Sequence, residues 1–192
     1  MGNTSADMDS VVGSLALSWY YGETTKNAYS PVINCLRNEL RYRIEIIEHL
    51  NKFGLDEAFL KENVIFADDL KLPDEGFKSI ESIALVDFNQ LPKEFESHLA
   101  SKVHYIVDHH IDMNLYKDSL VEKEIKLIGS ASTLVINKLL ASEDKFFAKD
   151  DASNSDLALF LSAPISLDSY NFEPNLYKSK WTDEDKSTFA KL

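Results

Sequence analysis

The chain of 192 residues is long enough to bury one sizeable core, and its 44% hydrophobic and 27% charged residues are typical of a soluble globular protein. Its net charge of −12 argues against sequence-independent nucleic-acid binding, which needs a cationic face. No apolar run approaches the roughly 18 to 20 residues that span a bilayer. Cys35 is the only cysteine, which excludes a disulfide framework and a cysteine-based zinc site. We therefore expect a cytoplasmic protein that binds neither nucleic acid nor membrane.

Helical patterns alternate with short apolar runs along the chain. In chain order, the predicted elements are a helix over 10–21, a strand over 31–35, a helix over 43–53, strands over 64–67, 83–87 and 103–108, and helices over 130–140, 156–162 and 182–192. The last helix has Thr182 as its expected N-cap and Asp185 at the third helical position. Strands separated by helices predict an α/β fold with a doubly wound, mainly parallel sheet flanked by helices.

The two clearest predicted strands both end in aspartate. These strands, over 83–87 and 103–108, are rich in β-branched residues and finish at Asp87 and Asp108. In doubly wound sheets, ligands bind outside the carboxyl ends of the strands. The two aspartates are therefore candidates for a site. An aspartate in this position is also common in turns, so the position alone does not identify the chemistry.

Four segments place aspartate or histidine at the edge of an apolar run. They are GNTSADMDS at 2–10, LVDFNQ at 85–90, VDHH at 107–110 and APISLDSYNF at 163–172. Oxygen ligands combined with imidazole suit Mn²⁺, Mg²⁺ or Co²⁺ better than a thiolate-bound metal. Taken singly, each segment has a plainer interpretation, such as Asp7 or Asp9 capping the helix that follows. The four together predict a metal site.

The order and residue content of these segments resemble the motifs of the DHH phosphoesterase superfamily, which includes family II inorganic pyrophosphatases, exopolyphosphatases and prune. GNTSADMDS resembles the first motif of the exopolyphosphatase/prune branch, in which asparagine replaces the histidine of the pyrophosphatases. VDHH resembles the signature motif, GSASTLV at 129–135 the glycine-serine motif, and APISLDSYNF the fourth motif. The resemblance covers nearly the whole chain. It implies a DHH domain over 1–181, with 182–192 starting a linker helix toward a C-terminal domain.

The resemblance also implies which residues hold metal. Two divalent ions are expected, Mn²⁺ first, with Mg²⁺ or Co²⁺ as alternatives. The implied ligands are Asp7, Asp9, Asp87, His109 and Asp168. Asp87 would bridge the two ions, Asp7 would hold one, and the remaining ligands would hold the other.

Further residues are implied in catalysis and substrate binding. Asn3 stands at the histidine position of the first motif and is expected near the substrate. His110 would contact a substrate phosphate, and Asp108 would orient the loop that carries the two histidines. Ser130 would offer its hydroxyl and a helix N-terminal amide to phosphate, or would simply cap the helix.

Two features depart from the family pattern. The first motif normally follows a hydrophobic strand, whereas here it begins at Gly2. Family enzymes also carry a smaller C-terminal domain with basic residues that grip the substrate. In this chain Lys178, Lys180 and Lys186 are too few and too close to the end to replace that domain. We therefore expect metal binding to be retained and turnover to be reduced.

The leading interpretation is a metal-dependent hydrolase of phosphoanhydride bonds. Its substrate would be inorganic polyphosphate, from which a hydroxide formed at the two metal ions releases terminal phosphate. Asn3 favours this activity over that of a pyrophosphatase. Two alternatives stay open: a phosphodiesterase acting on cyclic or short nucleotides, and a prune-like or truncated, inactive interaction protein.

Overall fold

The structure is a computed structural model, and it describes residues 1–70, 77–142, 146–147 and 153–192. The helices in these ranges are α1 (Met8–Thr25), α2 (Arg37–Leu40), α3 (Ile44–Lys52), α4 (Glu57–Asn63), α5 (Lys93–Leu99), α6 (Ala131–Ala141), α7 (Ser153–Asp168) and α8 (Asp183–Phe189). The strands are β1 (Val32–Ile33), β2 (Ile65–Phe66), β3 (Ile83–Val86), β4 (Val103–Asp108) and β5 (Glu122–Ile125). Two short 3₁₀ helices cover Ala100–Lys102 and Pro174–Leu176.

Each predicted element corresponds to a helix or strand of the predicted kind. The boundaries shift by a few residues, and α7 is much longer than predicted because it continues to Asp168. The sequence patterns did not indicate α2, α4, α5 or β5. These are short elements with many charged residues, so their apolar periodicity is weak.

All strand pairs among the described residues are parallel. β1 pairs with β2, and β3, β4 and β5 form a second sheet in that order. Val86 lies opposite Val107, and Asp108 lies opposite Ile125. Because these strands run in the same direction, their carboxyl ends meet at one edge. The parallel pairing and the flanking helices confirm the predicted α/β class.

The backbone of Met1 and Gly2 joins the two sheets. The terminal amine of Met1 donates to the Ala84 carbonyl at 2.7 Å, and the Val86 amide donates to the Met1 carbonyl at 3.0 Å. On the other side, the Gly2 amide donates to the Val32 carbonyl at 3.1 Å. These two residues therefore make, between β1 and β3, the hydrogen bonds that a strand would make there.

Helix α1 lies at the centre of the packing and fixes where the site forms. It packs against α6, α7 and β3. A Cβ atom on Gly13 would lie 3.0 Å from a methyl group of Val86, so α1 approaches β3 closely at this glycine. Leu17, Leu134 and Ile136 are fully buried in the same core. Burying each such side chain contributes about 1.5–3 kcal/mol. This packing brings the N-termini of α1 and α6 to the carboxyl ends of β3 and β4.

The last helix, α8, packs against α6 and α7. It begins after Thr182, as predicted, and its third residue, Asp185, is buried. Within the part of the chain that the structure describes, no helix combines the length and apolar character needed to cross a membrane.

Candidate metal centre

The candidate residues come from four separate segments that meet at one edge of the larger sheet. Asp9 lies in the first turn of α1, and Asp87 directly follows β3. His109 and His110 directly follow β4, and Asp168 is the last residue of α7. Asp87 and both histidines therefore lie at the carboxyl ends of parallel strands, the edge at which ligands bind in doubly wound sheets.

Asp87 is the buried carboxylate at the centre of this group. Its Oδ1 lies 3.1 Å from His109 Nε2, while its Oδ2 accepts hydrogen bonds from Ser10 Oγ at 2.6 Å and from Asn3 Nδ2 at 2.7 Å. Burial raises the pKa of Asp87 to about 6, and the charge of Asp9 also raises it, whereas the His109 hydrogen bond acts in the opposite direction. The effect of burial, with a smaller contribution from the neighbouring carboxylates, thus outweighs the pairing with histidine. The backbone at Asp87 is left-handed, with φ +64°, a conformation that costs energy and often occurs at functional sites.

His109 presents one ring nitrogen to the carboxylates. Its Nδ1 lies 3.1 Å from the Ile128 carbonyl, which can only accept, so Nδ1 carries a proton. Nε2 lies 3.1 Å from Asp87 Oδ1 and 3.8 Å from Asp9 Oδ2. Burial lowers the pKa of His109, but the Asp87 hydrogen bond and the Asp9 charge outweigh it and raise the value to about 9. A histidine held in this way has the orientation of a metal ligand whose other nitrogen is fixed by a carbonyl.

Asp9 is held by the N-terminus of α6. It is 3% exposed, and its carboxylate accepts hydrogen bonds from Ser130 Oγ at 2.8 Å, from the Ala131 amide at 2.7 Å and from the Ser132 amide at 2.8 Å. Helix N-termini favour negative charge, which explains how this carboxylate tolerates burial. Ser130 is fully buried, and its hydroxyl contacts Asp9. Its implied contact with phosphate stays a prediction.

Asp168 and Asp7 complete the acidic cluster. Asp168 Oδ2 is buried and has no hydrogen-bond partner among the described residues. Burial and the charge of Asp9 raise the pKa of Asp168 to about 8. Asp7 is exposed and caps α1, accepting from the Ser10 amide at 3.0 Å and from Ser5 Oγ at 2.6 Å. The capping role is therefore real, and it leaves carboxylate lone pairs free for a cation.

Asp108 accepts hydrogen bonds from both histidine residues, and its orienting role stays a prediction. Its Oδ1 accepts hydrogen bonds from the His109 amide at 2.8 Å and from His110 Nδ1 at 2.8 Å. Its Oδ2 accepts from Asn89, a residue of the LVDFNQ segment that the sequence did not single out. Although burial opposes the change, the bonds from His110 and Asn89 lower the pKa of Asp108. The bond to Asp108 raises the pKa of His110, whose side chain is 55% exposed.

This donor set fits a divalent cation. Asp87, His109 and His110 offer ligand atoms that all lie within 4.8 Å of one another. His110, for which the sequence implied a phosphate contact, thus also lies within reach of a shared ion. Crowded carboxylates and the buried oxygen of Asp168 without a partner are costly in a bare site. A hard cation would offset that cost, so the residues present suit Mn²⁺ or Mg²⁺.

The fold and this cluster define an α/β protein with a candidate metal centre at the carboxyl ends of its strands. The DHH family, N-terminal domain, matches this sequence over residues 1–164. The chain therefore belongs to the DHH family, as its motifs had suggested.

Curated relatives and solved structures agree with this assignment. The exopolyphosphatase PRUNE1 of Bos taurus is 30% identical over 186 residues, which cover 95% of this chain and 38% of the relative. The Homo sapiens exopolyphosphatase PRUNE1 is 29% identical over 195 residues, covering 100% of this chain and 40% of the relative. The chain thus spans about two fifths of the length of these relatives.

Two solved structures share the fold. A candidate family II inorganic pyrophosphatase of Methanococcus jannaschii superposes with a TM-score of 0.61 at 22% identity, covering 96% of this chain and 51% of that one. An exopolyphosphatase-related protein of Bacteroides fragilis has a TM-score of 0.61 at 16% identity, with coverages of 96% and 49%. At these identities the likeness concerns the fold, and it confirms the predicted α/β architecture.

Proposed function

We propose that this chain is a metal-dependent hydrolase of phosphoanhydride bonds that releases terminal phosphate from inorganic polyphosphate. One observation carries the proposal. Asp87 lies against His109 at the ends of adjacent parallel strands, and the charges of Asp7, Asp9 and Asp168 act on the same small volume. The relatives named exopolyphosphatase support the substrate class. Mn²⁺ is the proposed ion and the cytoplasm the proposed location.

In this proposal the metal ligands are Asp7, Asp9, Asp87, His109 and Asp168, with Asp87 shared between two divalent ions. Bound in pairs, such ions lower the pKa of a shared water toward neutrality and offset the charge of phosphate. The protein contributes orientation: the Ile128 carbonyl keeps Nε2 of His109 free for a ligand bond, and the N-terminus of α6 keeps Asp9 in place.

Three further residues are proposed to serve the substrate. His110 is exposed beside the cluster and is the proposed contact to a phosphate oxygen. Asp108 keeps His110 in that position through its hydrogen bond to Nδ1. Asn3 donates to both the carboxylate and the carbonyl of Asp87, so it also supports the bridging residue beside the substrate.

The domain boundaries belong to the same proposal. Residues 1–181 would form the phosphoesterase domain, and residues 182–192 would begin a linker helix. The packing of α8 against α6 ties this helix firmly to the domain. We propose that basic residues outside this site bind the phosphate groups of the substrate and thereby set the turnover rate.

The first experiment is a calorimetric titration of the metal-stripped chain with Mn²⁺. Two ions per chain, lost in Asp87→Ala and retained in the exposed control Asp118→Ala, would support the proposal. A folded chain without saturable binding would refute it. Phosphate release from tripolyphosphate, pyrophosphate and a cyclic nucleotide, measured side by side, would then define the substrate. Release from the cyclic nucleotide alone would replace the proposal with a phosphodiesterase.

A further inference from the structure

A second buried aspartate lies outside the candidate metal ligands. Asp185, in the first turn of α8, is 0% exposed and accepts four hydrogen bonds. Two come from the start of its own helix, from the Thr182 amide at 2.7 Å and hydroxyl at 2.8 Å. The other two come from the Gly129 amide at 2.9 Å and from Thr133 Oγ1 at 2.7 Å. A carboxylate that only capped α8 would need the first pair alone.

The two remote donors belong to the segment that holds the metal-centre side chains. The carbonyl of Ile128 contacts Nδ1 of His109. One residue later, the Gly129 amide donates to Asp185. The next three residues, 130–132, donate to the carboxylate of Asp9. Asp185 is therefore attached to this segment between the contact to His109 and the contacts to Asp9.

The backbone at position 129 lies so close to its neighbours that only glycine fits there. A Cβ atom on Gly129 would lie 2.5 Å from the Lys180 carbonyl and 3.0 Å from Asp185 Oδ2. The 2.5 Å contact is shorter than a Cβ atom tolerates against backbone, so the main chains of residues 129 and 180 meet directly. The position of segment 128–132 is thus set by Asp185 and its flanking backbone rather than by adjustable side-chain packing.

We infer that Asp185 is a positioning residue of the metal centre, which it serves by fixing segment 128–132. The inference rests on the proposed function, because Asp9 and His109 matter here as ligands. When the carboxylate is removed, the N-terminus of α6 loses an anchor on each side of Ser130. The three donors to Asp9 then lose their fixed position. Changes around bound ligands typically lower metal affinity 10–100-fold, and for this more remote residue we expect about tenfold.

The test compares variants on the two sides of the same carboxylate. Asp185→Asn removes the charge, Thr133→Val removes one bond on the α6 side, and Thr182→Ala removes one bond on the α8 side. Two quantities are measured: Mn²⁺ affinity by calorimetry, and hydrogen exchange of the Ala131 and Ser132 amides in the metal-free protein by NMR. A denaturation curve for each variant shows that it is folded.

We expect the Asp185 and Thr133 variants to speed amide exchange at residues 131 and 132 and to weaken Mn²⁺ binding about tenfold. The Thr182 variant should loosen α8 and leave both quantities unchanged. Equal effects from all three variants, or unchanged exchange in folded Thr133→Val, would overturn the inference. If Asp185→Asn does not fold, Thr133→Val decides. A wild-type chain that binds no Mn²⁺ would refute the proposed function, while the exchange data would still test the role of Asp185.

Discussion

The terminal ammonium of Met1 is buried between the two sheets. Its burial predicts how the free energy of unfolding depends on pH. The amine donates to the Ala84 carbonyl at 2.7 Å. Burial lowers its pKa from 8.0 to about 5, because the buried ammonium group loses its hydration. The folded 192-residue chain with a free N-terminus therefore prefers a neutral amine at pH values at which the unfolded chain is charged.

The magnitude follows from this difference in pKa. Between about pH 5 and pH 8 the unfolded chain binds a proton that the folded chain does not, so the free energy of unfolding rises with pH across that window. Lowering the pKa from 8.0 to about 5 corresponds to a stability penalty of about 4 kcal/mol, which applies in full below pH 5 and is absent above pH 8. At pH 6 the penalty is about 3 kcal/mol.

Acetylation of the amine isolates this effect. The acetylated chain keeps an N–H donor for Ala84 but cannot be charged, and Met1 lines a cavity of about 460 Å³. Urea denaturation from pH 6 to pH 8.5 should give similar free energies for both chains at the upper limit. The acetylated chain should be more stable by about 3 kcal/mol at pH 6. Since every other titrating group is common to the two chains, a difference that does not change with pH would refute the reasoning.

Three further outcomes are expected. Asp87→Ala should weaken Mn²⁺ binding by at least about tenfold more than Asp7→Ala, because Asp87 is buried against His109 whereas Asp7 is exposed; equal affinities in calorimetry would count against a bridging Asp87. Asp108→Asn should lower phosphate release about tenfold or more at saturating Mn²⁺ with two ions still bound, and a loss of bound metal would show that it does more than orient the histidines. Leu134→Ala should cost about 2–5 kcal/mol in urea denaturation, because Leu134 is fully buried; a cost below 1 kcal/mol would contradict the packing described.

The strand ends at the centre of the candidate site could be predicted because each lies within one short, continuous stretch of sequence. β3 and β4 are apolar runs that end in or immediately before an acidic residue, so Asp87 and Asp108 could be placed at strand ends without knowing the fold. The sheet pairing then brings the two strand ends together. Likewise, Asp7 as a helix cap follows from its position directly before the apolar turns of α1.

Other features depend on contacts that no local pattern reveals. β5, with the sequence EKEI, has no apolar run, and it forms because it pairs with β4 while Lys138 binds its two glutamates. Asn89 reaches Asp108 across a strand connection. The sequence pattern predicted only that Asp185 lies at the third helical position, whereas its bonds to Gly129 and Thr133 cross more than fifty residues. Such contacts are properties of tertiary packing.

The contacts between Asp9 and the N-terminus of α6 also affect when the site can form during synthesis and folding. They join residues 121 to 123 positions apart, so they close a loop that includes most of the chain. Contacts between residues so far apart in sequence tend to slow folding, because closing the loop costs entropy before the contact stabilises the chain. The proposed cation site, which includes Asp168, is complete only after synthesis has passed residue 168. Metal added during refolding should therefore act late, slowing unfolding of the finished protein rather than speeding its early collapse.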